Sequence, residues 1–151
     1  MKFSSQKLRL VSLLLVIYYL ILAWMFNRTG YEHPERLFYA EKLKLLFEYS
    51  ENTLLTLGTT FPTTSFLINV IFAPFGYLFA PVASSIVLMS FLFFFMAKDI
   101  NGSGLPARTM IISLMALFLL HPQFIFAATS GRNIAAIMLF TYLLFRSLFF
   151  Y

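Results

Sequence analysis

The run LVSLLLVIYYLILAWMF, residues 10–26, contains no Asp, Glu, Lys, Arg or His. A helix of this composition has no polar face to turn toward water, and an all-round apolar helix is stable only inside a large core or in lipid. The same absence holds from residue 65 to 97 and from 109 to 120. The chain is 60% hydrophobic and 11% charged, with 20 Phe in 151 residues, where a soluble domain averages roughly 25% charged. A chain this short cannot hide that much apolar surface in one aqueous core, so the bilayer is its solvent. The class that follows is all-α: a polytopic helical membrane protein forming a single integral membrane domain over residues 1–151.

Segment limits come from the punctuation between apolar runs. The basic, acid-free start MKFSSQKLR leads into 10–26. That run exceeds the roughly 7–15 residues of a signal-peptide core and lacks a small-residue cleavage pattern, so it reads as a retained first span. Residues 65–80 are apolar but carry Pro74 and Gly76 before Pro81. Either 65–80 is a short, re-entrant element and 81–97 is the second span, or both halves cross. Pro at a first helical turn is favourable, so Pro81 opens a span at 81–97. KDINGSGLPAR (98–108) is a Gly/Ser/Pro loop, followed by spans at 109–127 and 131–150. About four transmembrane helices result.

The outer loop, 27–62, is the polar region. Within it, 35–52 places apolar residues at 39, 43 and 46 and charges at 41, 42, 44 and 48, which predicts an amphipathic helix lying in the headgroup plane. Lys44 and Glu48 stand one turn apart and can pair. If 65–80 does not cross, Lys2, Lys7 and Arg9, the 98–108 loop and Arg146 fall on one side, which the positive-inside rule makes cytoplasmic; if both halves cross, Lys98 and Arg108 face outside. The expected location is the bacterial inner membrane, N-terminus in the cytoplasm. The net charge of +5 serves this orientation, and nucleic acid is not an expected partner; membrane lipids are. No Cys is present, so disulfides, thiolate metal sites and thiol catalysis are excluded.

The other side also holds HPQFIFAATSGRN, residues 121–133. Thr129 or Ser130 can cap a helix starting near Gly131, and His121 before Pro122 ends or caps another. Arg132 is the odd choice, since a cation in a first turn opposes the helix dipole. A lipid phosphate, a carboxylate from the same face or a bound anion would offset it.

At this point the chain resembles the membrane-embedded glycosyltransferases of the GT-C superfold. The resemblance runs through a basic tail and first span, then the acidic loop GYEHPERLFYA. An amphipathic stretch follows, then TTFPTTSFLINVIFAPFG, the span APVASSIVLMSFLFFFMAKDI and finally MALFLLHPQFIFAATSGRNIAAIMLFTYLL. It implies transfer of a sugar from a polyprenyl-phosphate carrier on the outer or lumenal face. The implied acid or acceptor-orienting residue is Glu35, with Glu32 the other candidate; a divalent metal sometimes assists in the family. Where many members have paired acids this chain has Pro34-Glu35. Members usually have eight or more spans, so the chain reads as an incomplete core or one sharing it with a membrane protein partner.

Two functions are therefore expected to compete. In the first, Glu35 or Glu32 deprotonates or orients the acceptor while Arg132, with His121 and Ser130, holds the carrier phosphate. In the second, the chain is a non-enzymatic subunit or scaffold of a larger membrane complex. His33 reads as a loop histidine, and Asn27-Arg28-Thr29 and Asn101-Gly102-Ser103 match the frequent glycosylation pattern. The apolar runs 10–26, 65–97 and 109–120 hold no charged group, which argues against an ion or proton pathway.

Overall fold

Ser4 sets the first helix by accepting the Gln6 backbone N–H on its hydroxyl at 3.2 Å. The computed structural model describes residues 4–49 and 63–150, and the regular elements among them are helical. Helix α1 (Ser5–Arg28) rises about 36 Å, longer than the expected 10–26 because part of the basic tail and Asn27-Arg28 join it. Arg28 in its last turn complements the dipole and lies 4.1 Å from the centre of the Trp24 ring. Helix α2 (Pro34–Glu48) begins with His33 as N-cap and Pro34 in the first turn, where the missing proline N–H costs nothing. It therefore starts one residue before the expected 35–52, and residues 50–52 lie outside the described residues. The expected Lys44–Glu48 pair forms at 3.8 Å.

The apolar face of α2 meets protein. Tyr39 and Leu43 are fully buried with Phe66, Ala73 and Ala80, while Leu37, Phe38 and Phe47 stay exposed. Phe66 belongs to α3 (Thr63–Phe72), which leads into a 3-10 turn over Ala73–Phe75 and then Gly76 at φ 110. Ten residues rise about 15 Å, half of a hydrocarbon layer of about 30 Å. The stretch expected at 65–80 is thus short, and as a helix it lacks the length to cross.

Helix α4 (Ala80–Gly102) is the centre of the packing. Pro81 lies in its first turn, as its sequence position predicts. The helix continues past 97 because the Lys98–Gly102 stretch adopts helical geometry before Ser103 caps it. Ser84, Ser85 and Ser90 return their hydroxyls to carbonyls three or four residues back, so a buried face can carry them without orphaned donors.

The expected span 109–127 is broken. Helices α5 (Arg108–Leu119) and α6 (Pro122–Thr129) meet at 66°. Pro122 cannot donate into a continuing helix, and the residue before proline is pushed to extended backbone; His121 sits at φ −67, ψ 141. The carbonyl of Leu119, at the end of α5, accepts from the Tyr19 hydroxyl of α1 at 2.8 Å. Helix α7 (Ile134–Phe150) starts three residues after the expected Gly131, since 131–133 are not helical.

By length and composition α1 and α4 can each cross a membrane, and α5 with α6 makes a third crossing if the bent pair counts as one. The all-helical class with apolar, membrane-length helices stands, but two such helices, or three with the bent pair, take the place of the four expected, because α7 is shorter. The two ends are distinct. Arg36 reaches both Asn27 at the end of α1 and Leu78 before α4, so these helices run antiparallel. At the opposite end Arg146 Nε and the Tyr142 hydroxyl donate to Asp99 Oδ2, each at 2.6 Å. The 98–108 loop and Arg146 thus share an end, as the charge pattern implies.

Candidate functional site

The first loop and the α6–α7 junction come together at the Arg36 end. His33, as N-cap, accepts the Glu35 backbone N–H on Nδ1 at 3.2 Å, which fixes the first turn of α2. That turn aims the Glu35 carboxylate at the start of α7. The backbone N–H of Asn133 donates to Glu35 Oε1 at 3.0 Å, and Arg132 Nε donates to Oε2 at 3.3 Å. One carboxylate thereby satisfies a helix N-terminus and neutralises the cation placed there. Of the three partners the sequence allowed for Arg132, it is the carboxylate that the structure shows.

Ser130 has a different place from the one expected. It is the C-cap of α6, and its buried hydroxyl has no hydrogen-bond partner; the capping of α7 comes from Glu35, 98 residues away from Asn133. His121 stands at the other end of α6, where it accepts the Gln123 N–H at 3.3 Å. Eight residues of helix put about 12 Å between the two ends of α6. His121 lines a separate groove with Leu114 and Phe118, so it does not join Glu35 and Arg132 in one pocket. Glu32 is exposed in the loop.

Beside the Glu35–Arg132 contact lies a pocket of about 370 Å³ between α1, the loop, α2 and α6. Ala23, Phe26 and Phe126 give it apolar walls, and His33, Arg36 and Ser130 give it polar ones. Arg36 is buried, with Nε donating to the Leu78 carbonyl at 2.8 Å and Nη2 to Asn27 Oδ1 at 3.1 Å. Burial pushes its pKa down, and the nearby Glu32 charge pushes it partly back. Gly131 packs directly on this arginine: a Cβ there would lie 3.2 Å from Arg36 Cγ.

Arg36 was missed in the sequence. It sits in the first turn of α2, the same unfavourable location for a cation that singled out Arg132, and that signal was available. A divalent ion, which the resembled family sometimes uses, finds no fitting set: Glu35 is engaged by Arg132 and Asn133 and His33 Nδ1 by an N–H. Among the described residues no three His, Asp or Glu gather as ligands. Compared with family models, curated proteins and solved structures, the chain matches none, so function is read from the site.

Proposed function

We propose that this chain is a membrane-embedded protein of the GT-C glycosyltransferase type. It crosses a bacterial inner membrane four times, through α1, α4, the bent α5–α6 pair and α7, with its Arg36 end outside. It transfers a sugar from a polyprenyl-phosphate carrier. The observation that supports this reading is the meeting of the acidic first loop with the α6–α7 junction, at 3.0 Å between Asn133 N and Glu35 Oε1, beside a pocket with apolar walls. Both belong to the ordered series of segments through which the resemblance runs.

In this reading the acceptor hydroxyl attacks the sugar C1, the C1–O bond to the carrier phosphate breaks, and polyprenyl phosphate leaves. Glu32, exposed between the pocket-lining Tyr31 and His33, takes the acceptor proton. The cationic side of the pocket meets the negative charge that grows on the leaving phosphate. Glu35 and Arg132 hold the loop against α7, and His121 has no part in the reaction.

The test is sugar transfer in membranes containing the chain, supplied with a labelled polyprenyl-phosphate sugar. Glu32→Gln should abolish transfer with the folded fraction unchanged. Full activity in that variant overturns the base assignment.

A second reading, a non-enzymatic subunit of a membrane complex, is favoured by one observation: the family's acid position, Glu35, is occupied by a helix N-terminus and an arginine. It requires that the wild-type chain transfer no sugar and that it be extracted from its membrane together with a protein partner.

A further inference from the structure

We infer that the elbow between α5 and α6 is an intramembrane docking site for an apolar helix of a different protein, one that presents a hydrogen-bond acceptor to His121 Nε2. The depth of the elbow follows from its tie to α1. The Tyr19 hydroxyl donates to the Leu119 carbonyl, just before His121. From Tyr19 to the end of α1 at Arg28 the helix rises about 14 Å, nearly half of a hydrocarbon layer of about 30 Å. Helix α6 then climbs back beside α1, because Phe126 and Thr129 share a pocket wall with Ala23 and Phe26. His121 therefore stands well inside the bilayer, beyond the reach of lipid headgroups. Its side chain is exposed there.

Nδ1 of His121 accepts the Gln123 N–H at 3.3 Å as the N-cap of α6, which puts the ring proton on Nε2. Among the described residues nothing accepts from that N–H. A donor left bare in hydrocarbon is strongly unfavourable, and an acyl chain offers it no acceptor. The surroundings have the shape for a helix. Met110, Leu114 and Leu117 are 64, 50 and 63% exposed, and with His121 they recur at the alternating four- and three-residue spacing of a helix-packing seam. Leu114, Leu117, Phe118 and His121 line a groove of about 340 Å³ beside that seam. In membranes, polar side chains in such seams hydrogen-bond across helices. A second copy does not supply what is missing. Two copies oriented alike about the usual two-fold axis set His121 against His121, donor facing donor. The partner must carry an acceptor (Asp, Glu, Asn, Gln, Ser or Thr) within an apolar span.

The inference rests on the bent pair crossing the membrane, part of the arrangement proposed above, and does not depend on sugar transfer. Photo-cross-linking of the full chain in its own membranes tests it, with Leu117→benzoylphenylalanine as the probe. The control is Ile17→benzoylphenylalanine, at an exposed position on α1.

The Leu117 probe should cross-link to another protein, at an apolar segment that carries one of those acceptors, and the Ile17 probe should not. His121→Ser keeps a good N-cap for α6 and removes the Nε2–H. It should lower the yield of the Leu117 adduct about three- to tenfold, the range of one interhelical hydrogen bond in a membrane. Adducts with lipid alone, equal protein adducts from Ile17, or a yield unchanged in His121→Ser overturn the docking site. An adduct with a second copy of this chain overturns the assignment to a different protein. The depth has its own readout: His121→Cys should resist a membrane-impermeant maleimide before and after permeabilisation. Ready labelling overturns the crossing of the bent pair and the docking site with it, whereas a protected cysteine with lipid-only adducts overturns the docking site alone.

Discussion

Gly131 sits at φ +71, with the Arg36 and Pro81 side chains close to where a Cβ would stand. A left-handed backbone costs other residues about 1–2 kcal/mol, and a Cβ would meet Pro81 Cβ at 3.2 Å. Gly131→Ala should therefore destabilise by at least about 1–2 kcal/mol in a denaturation experiment; a loss below about 0.5 kcal/mol, the scale of ordinary surface changes, would contradict this packing. Glu35→Ala removes an acceptor from the start of α7 and strands Arg132. It should cost about 1–2 kcal/mol, the range of a lost helix cap, and a double-mutant cycle with Arg132→Ala should show the two coupled. The anomaly of Arg132 was legible in the sequence, because dipole and charge conflict locally. Its answer was not, since Glu35 lies 97 residues away and no local pattern points to it. Ser130 does not cap α7: it lies at the end of α6, and its hydroxyl has no partner.

Helices were legible wherever composition and breaker chemistry agreed. Pro81 opening α4 and the Lys44–Glu48 pairing on α2 both followed from spacing. The α5–α6 break was half legible: His121 before Pro122 caps a helix, as that dipeptide suggests, but the apolar composition running through it carries no sign of a 66° bend. Tyr19 is invisible to any such reading: its hydroxyl serves the Leu119 carbonyl at the bend. Tyr19→Phe should cost about 1–3 kcal/mol, the penalty for leaving a buried carbonyl unmatched, measured as a shift in the denaturation midpoint. At α2, Tyr39 carries a pKa raised from 10.0 to about 12, first by burial, then by the Glu35 charge, against a hydrogen bond with Asn133. A raised folded-state pKa means the proton is held more tightly in the native state. Its contribution is fully present below about 10 and is lost as pH climbs toward about 12. Stability of the wild type should fall more steeply across that window than stability of Tyr39→Phe; parallel curves would refute the assignment.

At the scale of the molecule, charge placement told which ends meet. Asp99 binds Arg146 and Tyr142 at one end, and Arg36 ties Asn27 to Leu78 at the other. The number of crossings was less legible, because it depends on a 66° bend and on where α7 begins, which Glu35 decides by capping it. The site depends on this arrangement: the acidic loop and the α6–α7 junction share one face only if α4 and the α5–α6 pair both carry the chain through. The chain contains no cysteine, so single cysteines report sidedness without background. Labelling Glu41→Cys and Ser103→Cys, both at exposed positions, with a membrane-impermeant maleimide on intact cells tests this directly. A crossing at α4 with the Arg36 end outside predicts that Glu41→Cys labels from outside and Ser103→Cys only after permeabilisation; both labelling from the same side would contradict it.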